Sequence, residues 1–182
     1  MGTATAVRMT FAEFDALPEN EDWKRELIDG EVYEMASGGP VHERVKGIAI
    51  LKLAAFVENH QLNACFQSET RYYLPNGIDV FQPDISLVLG DKLDPKGEGK
   101  ITVVPDLAVE VVSSESAQRL QHKVRVLLDL GARAVVVIYP EDRDIYIHRA
   151  TGVERVMTSG TLALDDVLPG FSIPAAVLFE GI

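Results

Sequence analysis

Two acidic residues stand in segments that otherwise have the pattern of buried β-strands. Glu110 lies within LAVEVVS, where side chains alternate between two faces, and Asp84 opens DISLVL directly after Pro83. Removing an ionised carboxylate from water costs several kcal/mol unless a partner compensates its charge. If the two strands are neighbours in one sheet, both carboxylates converge, and oxygen ligands of this kind suit Mg²⁺ or Mn²⁺.

A lysine on the helix that follows Glu110 is a candidate partner for these acids. At about 100° per residue, the apolar residues of this helix form one broad arc, namely Leu120, Val124, Leu127, Leu128 and Leu130. Lys123 falls inside that arc. Its side chain either extends along the apolar surface to water or directs its ammonium group at carboxylates on the sheet beneath the helix.

Each of the two acids also has an explanation without a metal. Asp84 at a strand entry is typical of a residue that caps a turn, and Glu110 in a strand is equally consistent with a buried ion pair to an arginine. The two positions favour a functional site only when they are considered together with Lys123.

The predicted elements place these residues on two strands and a connecting helix. Helices are expected from about Pro40 to Asn59 and from about Glu115 to Leu130, and RAVVVIYP is typical of a strand covered on both faces. CFQSETRYYLP, DISLVL and LAVEVVS are predicted to be extended, with hairpin turns at Asp29-Gly30 and Thr151-Gly152. This order predicts an α/β sandwich with a mixed sheet, in which the second helix joins two parallel strands.

Length and composition favour one globular domain in a reducing compartment. The 182 residues fit a single domain spanning 1–182, and a single cysteine, Cys65, excludes an internal disulfide. The four histidines and this cysteine show no zinc-site spacing. The most apolar run, IAILKLAAFV, is interrupted by Lys52 and is too short to span a bilayer, so a cytoplasmic protein without membrane insertion is expected.

Several blocks of the sequence resemble the Uma-type family of restriction-endonuclease-like nucleases, which belongs to the PD-(D/E)XK superfamily. They are RELIDGEVYEM, a helix opened by a histidine, QPDISLV, PDLAVEVVS with a downstream lysine, and DDVLPGFSIPAAVLF. The resemblance covers nearly the whole chain. It implies a restriction-endonuclease-like α/β sandwich, in which a central mixed β-sheet is flanked by helices.

The resemblance also implies roles for the acids and the lysine. Pro83-Asp84 is the PD pair and Glu110 the second acid, whereas Val112 stands where the superfamily has its lysine. The Uma-type family typically carries the lysine on the following helix, where Lys123 stands.

Two further residues enter through the same resemblance. The histidine that commonly opens the first helix is His42 here, either at the border of the site or as a structural hydrogen-bonding residue. A second PD pair, Pro105-Asp106, is the weaker candidate because Asp106 shares its strand with Glu110 and would leave Asp84 unexplained.

By resemblance, the expected activity is metal-dependent hydrolysis of DNA phosphodiester bonds. Asp84, Glu110 and the Val111 carbonyl would bind Mg²⁺ or Mn²⁺, and Lys123 would orient the attacking water or balance the charge of the transition state. Many relatives of this fold are dimers, which implies a homodimer. The alternative is a catalytically inactive nuclease-like scaffold that binds nucleic acid or protein.

The charge of the chain limits how it binds DNA. The net charge is −11, and phosphate contacts are made chiefly by lysine and arginine, so DNA affinity is expected to be weak and strongly dependent on salt. The basic residues Arg119, Lys123 and Arg125 are the expected contact region. Arg125→Glu should therefore weaken binding of a labelled oligonucleotide without unfolding the protein. Equal binding by this variant, or binding that salt does not affect, would exclude this surface.

Overall fold

A six-stranded mixed β-sheet forms the centre of the protein in the computed structural model, which describes residues 8–18, 23–36, 38–92, 99–113 and 115–182. Side by side, its strands are β10 (Gly152–Met157), β9 (Asp144–Arg149), β8 (Ala134–Tyr139), β7 (Leu107–Val111), β6 (Ile85–Leu89) and β3 (Ala64–Ser68). β7 and β8 run parallel, and the other neighbouring pairs are antiparallel. The sheet is therefore mixed, as predicted.

A second, antiparallel sheet carries the predicted hairpin near the start of the chain. Its four strands are β2 (Glu31–Ala36), β1 (Trp23–Ile28), β5 (Val80–Phe81) and β4 (Tyr72–Tyr73). The turn between β1 and β2 has positive φ at both central residues, 52° at Asp29 and 77° at Gly30, which matches a hairpin with right-handed strand twist. A two-stranded pair, β11 (Thr161–Ala163) and β12 (Ser172–Pro174), lies near the end of the chain.

In the described residues, the helices are α1 (Phe11–Asp15), α2 (Pro40–Asn59) and α3 (Ala117–Asp129), with two short 3-10 helices at Gly90–Lys92 and Ala175–Phe179. The predicted bounds of α2 are confirmed. α3 begins two residues later than predicted because the Ser116 hydroxyl accepts a hydrogen bond from the Arg119 amide and so caps the helix. Within the described residues, no helix has the length and apolar character needed to cross a membrane.

The two faces of the central sheet carry separate hydrophobic cores. One face packs against α2 and the chain near β11 and β12, and its core includes Val45, Leu53, Val109, Val111 and Phe171. The other face packs against α3, and its core includes Ala108, Leu120, Val124, Leu127 and Val137. Residues of β7 therefore alternate between the two cores, as the sequence predicted, and Glu110 falls on the α3 face.

The segment CFQSETRYYLP was predicted to be a single extended segment, and the structure differs. It forms two strands that belong to different sheets, β3 in the central sheet and β4 in the smaller one. Between them, Glu69 adopts a φ of 51°, and its amide donates to the Asp84 carbonyl oxygen. This left-handed residue turns the chain out of the central sheet, a change that the alternation of side chains does not reveal.

Asp106 of the second PD pair lies at the start of β7, opposite the end that carries Glu110. It is 1% exposed, and its Oδ2 accepts a hydrogen bond from the Leu89 amide at 2.9 Å. Its Oδ1 lies 2.6 Å from Lys92 Nζ and 3.2 Å from Arg133 Nε. Asp106, next to β7, therefore connects this strand to β6 through Leu89 and to the entry of β8 through Arg133.

Asp106→Ala should lower the free energy of unfolding by about 3 kcal/mol, because it removes one partner of a buried ion pair and leaves the Leu89 amide without its acceptor. Urea unfolding followed by circular dichroism measures this change. The exposed Asp142→Ala is the control and should change the stability by less than about 0.5 kcal/mol. A loss at Asp106 no larger than that of the control would contradict this structural role.

Candidate active site

One cavity of about 250 Å³ brings together the residues that the sequence predicted for the site. Its lining includes His42, Asp84, Glu110, Val111 and Lys123. Asp84 comes from the entry to β6, Glu110 and Val111 from the end of β7, and His42 and Lys123 from the helices on opposite faces of the sheet. The cavity therefore lies at one end of the two central strands.

Asp84 is 5% exposed and is held by three donors. Ile85 pairs with Val109 in the antiparallel register, and continuing that register places Asp84 beside Glu110. Asp84 Oδ2 accepts a hydrogen bond from the Val111 amide at 2.8 Å.

The same carboxylate has two basic partners. Its Oδ2 lies 3.2 Å from His42 Nε2, and its Oδ1 lies 3.2 Å from Lys24 Nζ. Burial alone would raise the pKa of Asp84, but the His42 hydrogen bond and the charge of Lys24 outweigh it. They hold the pKa of Asp84 well below its usual value, so this carboxylate is ionised at neutral pH.

His42, in the first turn of α2, positions Asp84 from the opposite face of the sheet. Its Nδ1 lies 3.1 Å from Glu43 Oε1, so each ring nitrogen faces a carboxylate oxygen. Burial acts to lower the pKa of His42, but these contacts with Asp84 and Glu43 raise it above its usual value. The ring also packs tightly on Gly38, where an added Cβ would lie 2.1 Å from His42 Nδ1. Only glycine allows this approach.

Glu110 is 4% exposed, and its Oε1 lies 2.9 Å from Lys123 Nζ. Burial raises the pKa of Glu110 to about 7, and the charges of Lys123 and Lys24 offset this effect only in part. Glu110 thus changes its charge near neutral pH, whereas Asp84 stays ionised.

Lys123 is 1% exposed, and its ammonium group points at the sheet. Its Nζ lies 3.1 Å from Glu26 Oε2, 2.9 Å from Glu110 Oε1 and 3.8 Å from Glu115 Oε1. Burial would lower the pKa of Lys123, but the three carboxylates raise it well above its usual value. The side chain therefore does not extend to the surface, and Lys123 remains charged.

The burial of Lys123 shows that the predicted DNA-contact surface of Arg119, Lys123 and Arg125 is wrong in one residue. Lys123 is enclosed and cannot contact a DNA backbone together with its helical neighbours. Arg119 lies over the ring of Tyr33 at 4.9 Å, and Arg125 is hydrogen-bonded to His122 at 3.0 Å. The surface that remains from the prediction consists of these two arginines.

Two residues of β1, Lys24 and Glu26, were missed by the sequence analysis. Glu26 is fully buried, accepts a hydrogen bond from the Gln82 amide at 2.6 Å and contacts Lys123. Lys24 contacts Asp84. Their spacing of two residues in the strand WKRELI places both on one face, but Arg25 between them is also charged, so the sequence does not distinguish them from a solvated charged run.

The charges at the inner end of the cavity fit a divalent cation. Among the described residues, four carboxylates meet there with two ammonium groups, namely those of Glu26, Asp84, Glu110, Glu115, Lys24 and Lys123. When all four carboxylates are ionised, they exceed the two ammonium groups by two negative charges. Without a metal, the proton that Glu110 holds up to about pH 7 reduces this excess, and a divalent cation would take the place of that proton. Three buried oxygens of this group, Glu26 Oε2, Glu110 Oε1 and Glu115 Oε1, all face the single ammonium group of Lys123. Carboxylate oxygens are the ligands that Mg²⁺ prefers in proteins.

A separate group of possible ligand atoms lies outside this cavity. Oxygens of Asp29 and Asp79 and a ring nitrogen of His122 lie within 4.8 Å of one another. The Asp79 oxygens accept hydrogen bonds from the Asp29 amide and from Asn76. Arg125 donates to His122 Nδ1, which leaves the proton of the neutral ring on Nε2, the atom that faces Asp29. These contacts account for the group without an ion.

The mixed sheet, with carboxylates at the adjoining ends of β6 and β7, defines a restriction-endonuclease-like protein. The chain belongs to the Uma2 family, described as "Putative restriction endonuclease", whose model matches residues 11–176. The family predicted from the sequence is thereby confirmed.

A solved structure agrees with this fold. It is the crystal structure, at 1.96 Å resolution, of "a putative nuclease belonging to DUF820 from Anabaena variabilis ATCC 29413". The two chains are 20% identical and superpose with a TM-score of 0.83 over 94% of this chain and 98% of that chain. At this identity the likeness supports the fold. None of the curated proteins matches the sequence.

The raised pKa of Glu110 predicts a pH-dependent stability. The folded protein keeps a proton on Glu110 up to about pH 7, whereas the unfolded chain releases it near the ordinary pKa of 4.5. The unfolded state then binds fewer protons, so the free energy of unfolding should fall as pH rises through this window. Relative to Glu110→Gln, the metal-free wild type should lose up to about 3 kcal/mol.

Urea unfolding at a series of pH values measures this difference. The exposed Glu58→Gln variant is the control and should follow the wild-type profile. Parallel profiles for wild type and Glu110→Gln would mean that Glu110 is ionised throughout the range.

Proposed function

We propose that the protein is a metal-dependent endonuclease that hydrolyses DNA phosphodiester bonds. The observation that carries this proposal is the pair of buried carboxylates, Asp84 and Glu110, which line one cavity with Lys123 at the adjoining ends of two central strands. Membership of the Uma2 family and the fold of the DUF820 structure support the same reaction class.

Asp84, Glu110 and the Val111 carbonyl would hold Mg²⁺ or Mn²⁺. When bound, such an ion supplies positive charge at the phosphate and lowers the pKa of water. Asp84 is suited to this role because the His42 and Val111 donors fix one of its oxygens and keep it ionised. Glu110 is suited because a nearby cation stabilises its charged form, which burial alone disfavours.

Lys123 would act as a fixed positive charge beside Glu110. Its ammonium is enclosed by carboxylates and stays protonated, so it donates hydrogen bonds and does not act as a base. In this position it would orient the attacking water or balance the charge that develops on the phosphate. Glu26 would keep the ammonium group in place.

A non-catalytic scaffold that binds nucleic acid or protein is the second candidate. It is favoured by the ion pairs that Asp84 and Glu110 already make with Lys24 and Lys123, since paired carboxylates need no metal. Metal binding separates the two candidates.

DNA as the substrate, a homodimer and a cytoplasmic location are also proposals. Because the net charge is −11, a dimer would favour DNA binding: a second copy would add a second Arg119 and Arg125 to the surface around a duplex. Sedimentation with and without DNA measures the assembly.

Wild-type protein should cleave plasmid or single-stranded DNA when Mg²⁺ or Mn²⁺ is added, and EDTA should stop the reaction. Asp84→Asn and Glu110→Gln should each reduce the rate by at least about 100-fold, because each loses a charged ligand worth several kcal/mol in the transition state. Asp142→Asn, exposed and distant in sequence, should cleave like the wild type.

The mutant set also tests the role of Lys123. Lys123→Arg keeps the charge that offsets the buried acids but cannot place it in the same position, so it should bind Mn²⁺ and lose most cleavage. Glu110→Gln should lose both Mn²⁺ binding and DNA cleavage. DNA cleavage unaffected by all three site variants would refute the proposed site, and a wild type that binds no metal would favour the scaffold.

A further inference from the structure

The Lys24 ammonium group lies close to both proposed metal ligands, Asp84 and Glu110. Its Nζ lies 3.2 Å from Asp84 Oδ1, the oxygen that neither His42 nor the Val111 amide engages. The charge of Glu110 acts on the same ammonium group. Lys24 thus provides positive charge for both carboxylates at the point where a shared cation would bind.

The two lysines of the cavity differ in their freedom to move. Lys123 is 1% exposed and is enclosed by the carboxylates of Glu26 on β1, Glu110 on β7 and Glu115 just before α3. The Lys24 side chain is 18% exposed and lies on the wall of a cavity of about 250 Å³. A lysine side chain has four flexible carbons, so Lys24 can withdraw from Asp84 into the cavity without any movement of β1.

Lys24 and a divalent cation cannot share this position. Mg²⁺ binds oxygen ligands at about 2.1 Å, so an ion on Asp84 Oδ1 would lie within a few ångströms of the ammonium group. Like charges at that separation repel strongly where water is largely excluded. Binding of the cation therefore requires that Lys24 leave Asp84.

We propose that Lys24 is a catalytic residue that exchanges with the divalent cation. In the metal-free protein its ammonium group compensates Asp84 and Glu110, and when the cation binds, Lys24 moves into the cavity and contacts the phosphate of the substrate. This inference rests on the proposed metal-dependent function. It assigns to Lys24 both the stabilisation of the metal-free site and a contact with the substrate.

Direct titration with Mn²⁺, in the absence of DNA, tests the exchange. Lys24→Met keeps the length of the side chain and removes its charge, so it should bind Mn²⁺ at least tenfold more tightly than the wild type. The matched control is Lys46→Met. Lys46 is also mostly buried, and its partner Glu69 lines the same cavity, but it makes no contact with Asp84. The Mn²⁺ affinity of this control should stay within about threefold of the wild-type affinity, a difference of less than 1 kcal/mol in binding free energy.

Chemical labelling of lysines, followed residue by residue with mass spectrometry, provides a second readout. Adding Mn²⁺ should increase the labelling rate of Lys24 severalfold and leave Lys123 unlabelled, because only Lys24 is released into the cavity. Lys24→Met should also cleave DNA more slowly than the wild type despite its tighter binding of the metal. Lys24→Gln provides the same comparison if the methionine variant does not fold.

The outcomes separate this inference from the proposed function. Equal Mn²⁺ affinity in wild type and Lys24→Met, with unchanged labelling, would overturn the exchange while leaving the metal site intact. A tenfold gain in Mn²⁺ affinity in Lys46→Met as well would show that removing any nearby positive charge strengthens metal binding. That result would also overturn the exchange. Failure of every protein to bind Mn²⁺ would overturn both the exchange and the proposed metal-dependent function.

Discussion

The ion pair between Glu110 and Lys123 is the interaction on which the site depends. Its two charged atoms lie 2.9 Å apart, and both residues are at most 4% exposed. Buried charges are tolerated only when they are partnered, so β7 and α3 must keep the spacing that joins them. The apolar residues on either side of Lys123 maintain that spacing by packing on the same face of the sheet.

The smaller sheet completes this charged centre. β1 contributes Glu26 to Lys123 of α3 and Lys24 to Asp84 at the entry to β6. His42 reaches Asp84 from the opposite face, at the start of α2. The site is thus assembled where two sheets and two helices meet, and each of these elements contributes a polar or charged side chain.

The two Pro-Asp pairs show how position in a fold determines what a short motif does. Asp84 and Asp106 are both nearly inaccessible, and each accepts a hydrogen bond from a backbone amide of a neighbouring strand. Asp106 lies at the start of β7, where Lys92 and Arg133 neutralise it. Asp84 lies at the other end, beside Glu110 and a cavity, where its remaining oxygen faces Lys24.

The sequence by itself determined the local elements and the face on which Glu110 and Lys123 lie, because side-chain periodicity in a strand and a helix is a property of the chain. The helix from Pro40 to Asn59, the parallel pair around α3 and both hairpins followed from such patterns. The turn at Glu69 and the partners Lys24 and Glu26 did not. They depend on how the hairpin docks against the central sheet, and only the tertiary structure decides that, because contacts between residues far apart in sequence leave no periodic signal.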